Sequence, residues 1–589
     1  MTELCITATP TFNCIPQRLA DFDTLPQALD YAAQGCTGYN FYDSRGNLMT
    51  PLSYVELRRR AVAAARRLHG LGLKRGDRVA VVADTAPAFM EVFFGCQYGG
   101  FVPVPLPISM SIGGRERYIQ RLHRLLKSCG ARAVLAPHAM LSFVTVASEG
   151  LALAYCGDIE GFHALDVPDV ALVPSRPDEI AYLQYTSGST GFPRGVVIHQ
   201  HAVMANLLAI VTSGLAVRPM DRCVSWLPFY HDMGLVGFVL GPLASQLSVD
   251  YIGPHEFAMR PRLWLTLLAR HRGTISFAPP FGYNLCTNRL RDSDIERLDL
   301  SAWRIAGVGA EPVHADVLER FAAHFAPAGF SSRAFLPSYG MAENSLAVSF
   351  APRQQGIQLD RIDRTHLEHT GQARPLQAGT AADGRFETVF VNCGQALPAH
   401  EIVVRDASGQ PLPPRTVGRI TIRGPSLMSG YFMDEEQTRR ALDDGGWLDT
   451  GDLGYLTEQG LFVTGRSKDL IIINGRNIWP QDIEQLAEQF FDIPRSDVSA
   501  FLAPEEGEND VVLLVQSRLR DDDARARLVK ELTALVRSEF GVACHVQLMP
   551  PRSLPRTSSG KISRSEARRQ YIHAQQHATG PCRAAVASS

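Results

Sequence analysis

The chain is poor in the features that mark several protein classes. Its eleven cysteines are scattered and form no C-x-x-C pair, which argues against a zinc site or a disulfide framework and for reduced thiols. Long apolar runs are missing. The stretch from Met204 to Val217 is interrupted by Asn206, Thr212 and Gly214, and nothing reaches the ~18 residues needed to cross a bilayer. Met1 to Ala20 carries no basic start followed by an apolar core, so no secretory leader is read there. A cytoplasmic location without integral membrane contact is expected. There is also no excess of one charge: a formal net charge of −2 gives no reason to expect nucleic acid or an anionic membrane as partner.

Common nucleotide and nucleophile motifs are absent too. The spacing G-x-x-x-x-G-K-[ST] fails because Pro193 follows Gly188 where the second glycine would stand, and Pro555 precedes Gly560-Lys561 where the first would stand. Gly307-Val308-Gly309 is followed by Pro312 and lacks the third glycine of a dinucleotide fingerprint. No serine sits between glycines at −2 and +2, so there is no nucleophile elbow.

What the chain does have is Tyr185-Thr186-Ser187-Gly188-Ser189-Thr190-Gly191-Phe192-Pro193-Arg194-Gly195, directly after the strand-like run Ile180 to Gln184. Glycines let the backbone turn so that N–H groups face a concavity and an anion comes close. Hydroxyls add rotatable donors, and Arg194 adds a permanent cation suited to phosphate. This density of turn residues, hydroxyls and cation reads as a nucleotide phosphate loop.

At 589 residues the chain is too long for one ordinary core. Ser53 with Glu56 opens a helix over 53–68 with the stripe Tyr54, Leu57, Ala61, Ala65 and Leu68. A strand at 79–83, a helix near 88–98 and a strand at 101–104 make a βαβ unit, so layered α/β sheets are expected. Arg115 to Lys127 reads as an amphipathic helix with a solvated basic face. Residues 351–386 are rich in Gln, Arg, Asp and Gly with little periodicity, and composition alone reads as an irregular surface connection. Residues 401–432 read as β-rich. From about 469 to 570 strand and helix alternate again, and the tail from Ala574 is Ala- and Ser-rich and expected to be disordered.

The phosphate loop resembles that of the adenylate-forming superfamily, which contains acyl-CoA synthetases, amino-acid-adenylating domains and luciferases. Other motifs follow in that family's order. Trp226-Leu227-Pro228-Phe229-Tyr230-His231-Asp232-Met233-Gly234 resembles its substrate gate, and Gly309-Ala310-Glu311-Pro312 its adenine-contacting turn. Ser338-Tyr339-Gly340-Met341-Ala342-Glu343 resembles its second nucleotide motif, Asp449-Thr450-Gly451-Asp452 its ribose ligand, and Thr464-Gly465-Arg466-Ser467-Lys468-Asp469 its hinge. The connection at 351–386, together with Ser276-Phe277-Ala278-Pro279 and Asn477-Ile478-Trp479-Pro480-Gln481-Asp482, is similar to the fatty acyl-AMP ligases.

The resemblance implies a large domain over 1–466, of layered α/β sheets closed by a distorted β-barrel and carrying the insertion. A small mobile α+β domain over 467–573 and the tail 574–589 follow. It implies ATP-dependent activation of a fatty acid to acyl-adenylate and transfer to a separate acyl carrier protein of the polyketide or nonribosomal peptide type. An acyl-CoA synthetase is the nearest rival; an amino-acid-adenylating enzyme or an inactive nucleotide-binding protein stand further off. Lys561 would bridge the α-phosphate and the attacking carboxylate, Glu343 with Thr190 would hold Mg²⁺, and His231 would lie by the acyl carboxylate. Thr186, Ser187, Gly188, Ser189, Thr190, Gly191 and Arg194 would hold phosphates. Gly309, Ala310, Glu311, Pro312, Ser338, Tyr339, Gly340 and Met341 would frame the base, and Asp452 and Arg466 the ribose, with Lys468 at the hinge. Arg194 stands where the family usually has lysine. Six basic residues (Arg552, Arg556, Lys561, Arg564, Arg568 and Arg569) face one acid, Glu566, and this excess is expected to help dock an acidic carrier.

Overall fold

A computed structural model describes residues 15–108, 114–186, 193–376, 387–473, 476–491, 493, 497–504, 509–556 and 562–578. The expected βαβ unit is formed by strand Arg78–Val82, helix Pro87–Gly99 and strand Val102–Leu106. Proline at the helix start has no N–H to lose, and Gly100 ends the helix in the left-handed region at φ +69°. The two strands are parallel neighbours in a four-stranded sheet completed by Ala131–Ala136 and Tyr155–Asp158.

The helix read from Ser53 spans Tyr54–Gly70, and its stripe Tyr54, Leu57, Ala61, Ala65 and Leu68 is buried. Ser53 Oγ accepts the Glu56 N–H at 3.2 Å. The Glu56 carboxylate turns to Arg59 and Arg60, so only half of the capping box forms.

A nine-stranded sheet forms the centre. Its parallel core runs, in spatial order, through Gly38–Tyr42, Ser248–Tyr251, Arg222–Ser225, Ile275–Ala278, Ile305–Val308 and Phe335–Gly340. These strands are largely buried, as parallel strands covered on both faces are, and the polar residues that interrupt them, Asn40, Arg222 and Asp250, are tied together by hydrogen bonds. Helices pack an aromatic core of Trp264, Tyr283, Trp303, Phe321 and Phe335 against it. A third sheet holds the hairpin Ile180–Thr186 and Arg194–His199 with the short strand Gly430–Tyr431. Where the sequence suggests a barrel, Glu401–Arg405, Gly418–Arg423, Leu448–Thr457 and Gly460–Arg466 form a four-stranded antiparallel sheet.

The connection after residue 351 has regular structure, contrary to what its composition suggests. Strand Leu359–Asp363 pairs antiparallel with Glu387–Val391, and helix Arg364–Thr370 follows the first strand. The reason is packing that no local period reveals: Ile362, Leu367 and Ala373 are buried with Tyr455, Phe462 and Trp479. Asp360 accepts hydrogen bonds from Tyr455 Oη at 2.7 Å and Arg415 Nη1 at 2.9 Å.

After the turn Ser467–Asp469, the C-terminal part contains a three-stranded sheet of Val498–Pro504, Asn509–Gln516 and Cys544–Met549. Helices Pro480–Phe490, Asp522–Phe540 and Arg564–Ala578 accompany it. The last helix runs past Ala574, where the disordered tail is expected to begin. Ala and Gln are good helix formers, and Glu566 supports the helix through Arg569 and Gln570. This part meets the 359–391 segment through charge. Arg476 Nη2 donates to Glu368 Oε2 at 2.5 Å, and Arg364 Nη2 lies 3.6 Å from Glu539 Oε2. Beside them Asp482 Oδ2 has no hydrogen-bond partner among the described residues.

Burial lifts the Asp482 carboxyl from an ordinary 3.8 to about 7, with Arg364 opposing and Glu368 adding to the rise. Between these values the folded chain holds a proton that the unfolded chain has released. Stability contributed by this site therefore falls as pH rises through the window from about 4 to about 7. Asp482→Asn should raise the apparent melting temperature at pH 8 and change it little at pH 4. A shift of equal size at both pH values would show that the buried charge is not the cause.

Candidate active site

The parallel strands deliver the site. In open α/β sheets ligands bind beyond the carboxyl ends of the strands, and here a cavity of ≈ 540 Å³ opens at those ends. Strand Ile305–Val308 runs into Gly309-Ala310, and strand Phe335–Gly340 runs into Met341 and Glu343; all four residues line the cavity, with Ser338, Tyr339 and Gly340. Ala310 sits in the left-handed region at φ +69°. A side-chain carbon on Gly309 would come within 3.0 Å of Ser338 Oγ, so the two turns pack directly on each other.

The hairpin places Thr186 opposite Arg194 in register, and both line the cavity. Strand Gly430–Tyr431 pairs onto the hairpin, Tyr431 against Val196. This brings the Tyr431 ring to 5.2 Å from the Arg194 guanidinium carbon. Tyr431 Oη in turn donates to Glu343 Oε1 at 3.0 Å. Burial holds the Glu343 carboxyl above its ordinary value; the Asp232 charge adds to this, and the Tyr431 hydroxyl works against it.

Asp452 lies behind the wall and is not among the lining residues. Its carboxylate accepts from Tyr339 Oη at 2.7 Å and lies 3.3 Å from Arg466 Nε. A carboxylate offers about four lone-pair sites, so these two contacts leave capacity for a further donor. Burial raises the Asp452 carboxyl, and the Arg466 charge opposes that. The Asp452 charge raises Arg466 in return. Arg466 and Lys468 both line the cavity, and burial lowers the Lys468 ammonium.

The gate segment contributes His231, Asp232 and Met233. His231 Nδ1 lies 2.6 Å from Asp232 Oδ1, and Gln184 Nε2 donates to the Tyr230 carbonyl at 2.6 Å. Gly234 allows the tight turn: a side-chain carbon there would fall 2.2 Å from the Pro228 carbonyl oxygen. Beyond the gate the wall becomes apolar, with Ile210, Val211, Leu215, Phe238, Phe277 and Phe350. Two π-helical turns, Ile210–Gly214 and Leu235–Leu240, supply much of this wall; such turns are rare and recur at functional sites. Gly214 lets the Phe350 ring in, since a side-chain carbon would meet Phe350 Cε2 at 2.7 Å.

The cavity thus gathers Thr186, Arg194, His231, Gly309, Ala310, Ser338, Tyr339, Gly340, Met341, Glu343, Arg466 and Lys468 from the sequence reading, while Glu311, Pro312 and Asp452 are not on its surface. Ser187, Gly188, Ser189, Thr190, Gly191 and Lys561 lie outside the described residues. Flanking Lys561, Arg556 pairs with Ile562, and Arg564 Nη1 lies 3.5 Å from Asp469, next to Lys468. Arg564 is also held by Glu484 at 2.5 Å, Arg569 pairs with Glu566, and Arg556 Nη2 lies 3.9 Å from Asp497. Of the described members of the basic excess read as a carrier-docking surface, Arg556 and Arg564 are engaged within the protein, while Arg552, Arg568 and Arg569 are exposed.

Four residues of the cavity wall had no role in the sequence reading: Tyr431, Asp449, Thr450 and Arg121. Asp449 and Thr450 stood in a quoted motif whose ribose role went to Asp452. Tyr431 is distant from Glu343 in sequence, and no spacing rule connects them. Arg121 belongs to helix Gly114–Cys129, where Arg115, Arg117, Arg124 and Lys127 are exposed as expected and Arg121 is half-buried.

The donor set also allows a divalent cation to be assessed. Mg²⁺ is held by one or two carboxylates together with substrate phosphates. A cavity carboxylate held above its ordinary value, as Glu343 is, fits that need. No group of three or more His, Cys, Asp or Glu side chains suited to a metal occurs among the described residues. No helix among them is long and apolar enough to cross a membrane.

Residues 42–432 match the AMP-binding enzyme family. A solved structure from work on the fatty acyl-adenylate ligases of E. coli and L. pneumophila superposes with a TM-score of 0.91 at 50% identity, covering 95% of this chain and 100% of that one. A protein of Caulobacter vibrioides, provisionally named an acyl-CoA synthetase, is 45% identical over 96% of this chain and 98% of its own. A medium-chain fatty acid–[acyl-carrier-protein] ligase of Moorena producens is 31% identical over 94% of this chain and 95% of its own. The chain therefore belongs to the AMP-binding enzymes and, within them, to the fatty acyl-AMP ligases.

Proposed function

We propose that the chain joins a fatty acid to AMP at the expense of ATP and passes the acyl group to the phosphopantetheine thiol of a separate acyl carrier protein. The observation that carries this reading is one continuous cavity with a polar end at Tyr339, Glu343, Arg466 and Lys468 and an apolar end at Ile210, Phe238 and Phe277. A nucleotide suits the first end and an alkyl chain the second.

In the first step a carboxylate oxygen bonds to the α-phosphorus, and the bond to the β-phosphate oxygen breaks to release pyrophosphate. A carboxylate is already nucleophilic at neutral pH, so the protein's task is positioning and charge neutralisation. His231, held by Asp232 at the boundary between the two ends, would position the carboxylate. Thr186 and Arg194, with the intervening stretch 187–192, would restrain the leaving phosphates. Tyr339, fixed by Asp452, would flank the base; of the pair read for the ribose, Arg466 faces the cavity and would meet the ribose hydroxyls, with Asp452 holding it from behind. Glu343 and Thr190 would hold Mg²⁺, which when bound neutralises phosphate charge. In the second step the thiol sulfur replaces AMP on the carbonyl carbon, with the thiol proton released to solvent.

Lys561 would reach the α-phosphate from the small domain, taken as 467–573 against a large domain of 1–466. Arg564, bound to Asp469 beside Lys468, keeps that segment close to the hinge.

Lys561→Ala should lower acyl-adenylate formation by about 10²–10³-fold while leaving ATP binding nearly intact; equal rates for variant and parent would end this assignment. Tyr431→Phe removes one hydrogen bond to Glu343 and should reduce adenylation about tenfold, with a raised Mg²⁺ requirement as the diagnostic readout. The acceptor is decided by incubating the protein with ATP, a C12 acid and either CoA or a holo-carrier protein. Thioester on the carrier is expected, and efficient acyl-CoA formation would instead favour the synthetase reading.

A further inference from the structure

Helix Gly114–Cys129 turns one arginine toward the cavity. Tyr118, Leu122 and Leu125 share the inner side of the helix with Arg121 and are buried, as their spacing of three and four residues requires. Arg121 and Leu125 both line the cavity, together with Pro105, Pro107 and Tyr230. One turn further on, Ser128 Oγ lies 2.6 Å from Tyr185 Oη, and Tyr118 Oη donates to the Pro107 carbonyl at 2.9 Å. The helix is thus fastened at both sides of Arg121 to the strands that frame the cavity.

Two other half-buried arginines, Arg222 and Arg304, are matched by acids, Asp250 and Asp221. Arg121 differs. Among the described residues it makes no hydrogen bond or ion pair, and the groups that act on its charge are Tyr230, Tyr118 and Arg124, with no carboxylate among them. Desolvation pushes the guanidinium below its ordinary value. A guanidinium stays charged in proteins, and a charge withdrawn from water is costly without a counter-ion. Asp232, Glu343 and Asp449 line the same cavity but none acts on the Arg121 charge, so a bound anion would supply the missing counter-charge.

The position of Arg121 selects the anion. Tyr185, held by Ser128 of the same helix, leads into Thr186 at one end of the glycine-rich stretch, and Thr186, Pro193 and Arg194 line the same cavity, whereas the apolar wall begins beyond His231 and Met233. A planar guanidinium with five donors in a fork matches phosphoryl oxygens in bidentate fashion.

Building on the adenylation proposed above, we infer that Arg121 is a positioning residue for the leaving pyrophosphate, binding its phosphoryl oxygens from the helix side of the cavity while Arg194 acts from the hairpin side. The two arginines would form a clamp of cations contributed by a helix and a hairpin.

The test is ATP–pyrophosphate exchange with a C12 acid, comparing the parent chain with Arg121→Ala, Arg121→Gln and Arg121→Lys. Neutral substitution should raise the KM for pyrophosphate at least tenfold and leave the KM for the fatty acid within twofold. Arg121→Lys should recover part of the loss, because the charge remains and the fork does not. An unchanged pyrophosphate KM overturns the inference. So does a uniform loss of kcat for all variants with a fallen melting temperature, which would mark a packing role. Normal exchange combined with impaired transfer from preformed acyl-adenylate to a holo-carrier protein would move the bound phosphate to the acceptor and also overturn it. Absence of exchange in the parent chain would instead refute the adenylation reading itself.

Discussion

The hydroxyl of Tyr339 and the guanidinium of Arg466 meet on one buried carboxylate, that of Asp452. Each partner comes from a different part of the chain. Tyr339 ends a strand of the central parallel sheet, and Asp452 and Arg466 stand opposite each other on neighbouring antiparallel strands. The turn Ser467–Asp469 follows Arg466 directly. A buried carboxylate is costly unless it is paired and hydrogen-bonded, so this one draws sheet, antiparallel layer and the following turn to a common point. The cavity wall and the start of the C-terminal part are registered by the same contact.

Around that point the protein keeps ionisable groups in a partly desolvated state. Glu343 and Asp452 are held above, and Lys468 below, their ordinary values by burial. Such groups are poised to gain from a charged ligand, because a phosphate or a cation supplies the counter-charge that the fold withholds. The apolar half of the cavity is built differently. Two π-helical turns and close-set aromatic rings shape it, with glycines placed where a ring must approach the backbone. One cavity therefore presents two solvents to one substrate complex.

The segment 359–391 binds the C-terminal part through both packing and charge. Trp479 is buried among Ile362 and Leu367, while Glu368 and Arg364 engage Arg476 and Glu539. Truncating one partner of such a buried network leaves the other uncompensated, so the interface resists gradual loosening.

Much of this was legible in the sequence where the physics is local. The capped helix after Ser53 and the βαβ unit follow from spacing and propensity, which act over a few residues, while the segments at Gly309 and Glu343 were legible through their resemblance to family motifs. Composition misread 351–386 because its strand Leu359–Asp363 and helix Arg364–Thr370 are stabilised by Tyr455, Phe462 and Trp479, far along the chain. It also treated Arg564 as free positive charge, although Glu484 and Asp469 hold it. Residue order alone determined that a strand, a glycine-rich stretch with a cation, a carboxylate turn and a late lysine occur in one succession. Only the tertiary structure decided that Arg121 alone on its helix turns inward and that Tyr431 reaches Glu343. The direction a side chain takes depends on what lies opposite it, and that is set by the packing of sheets on helices.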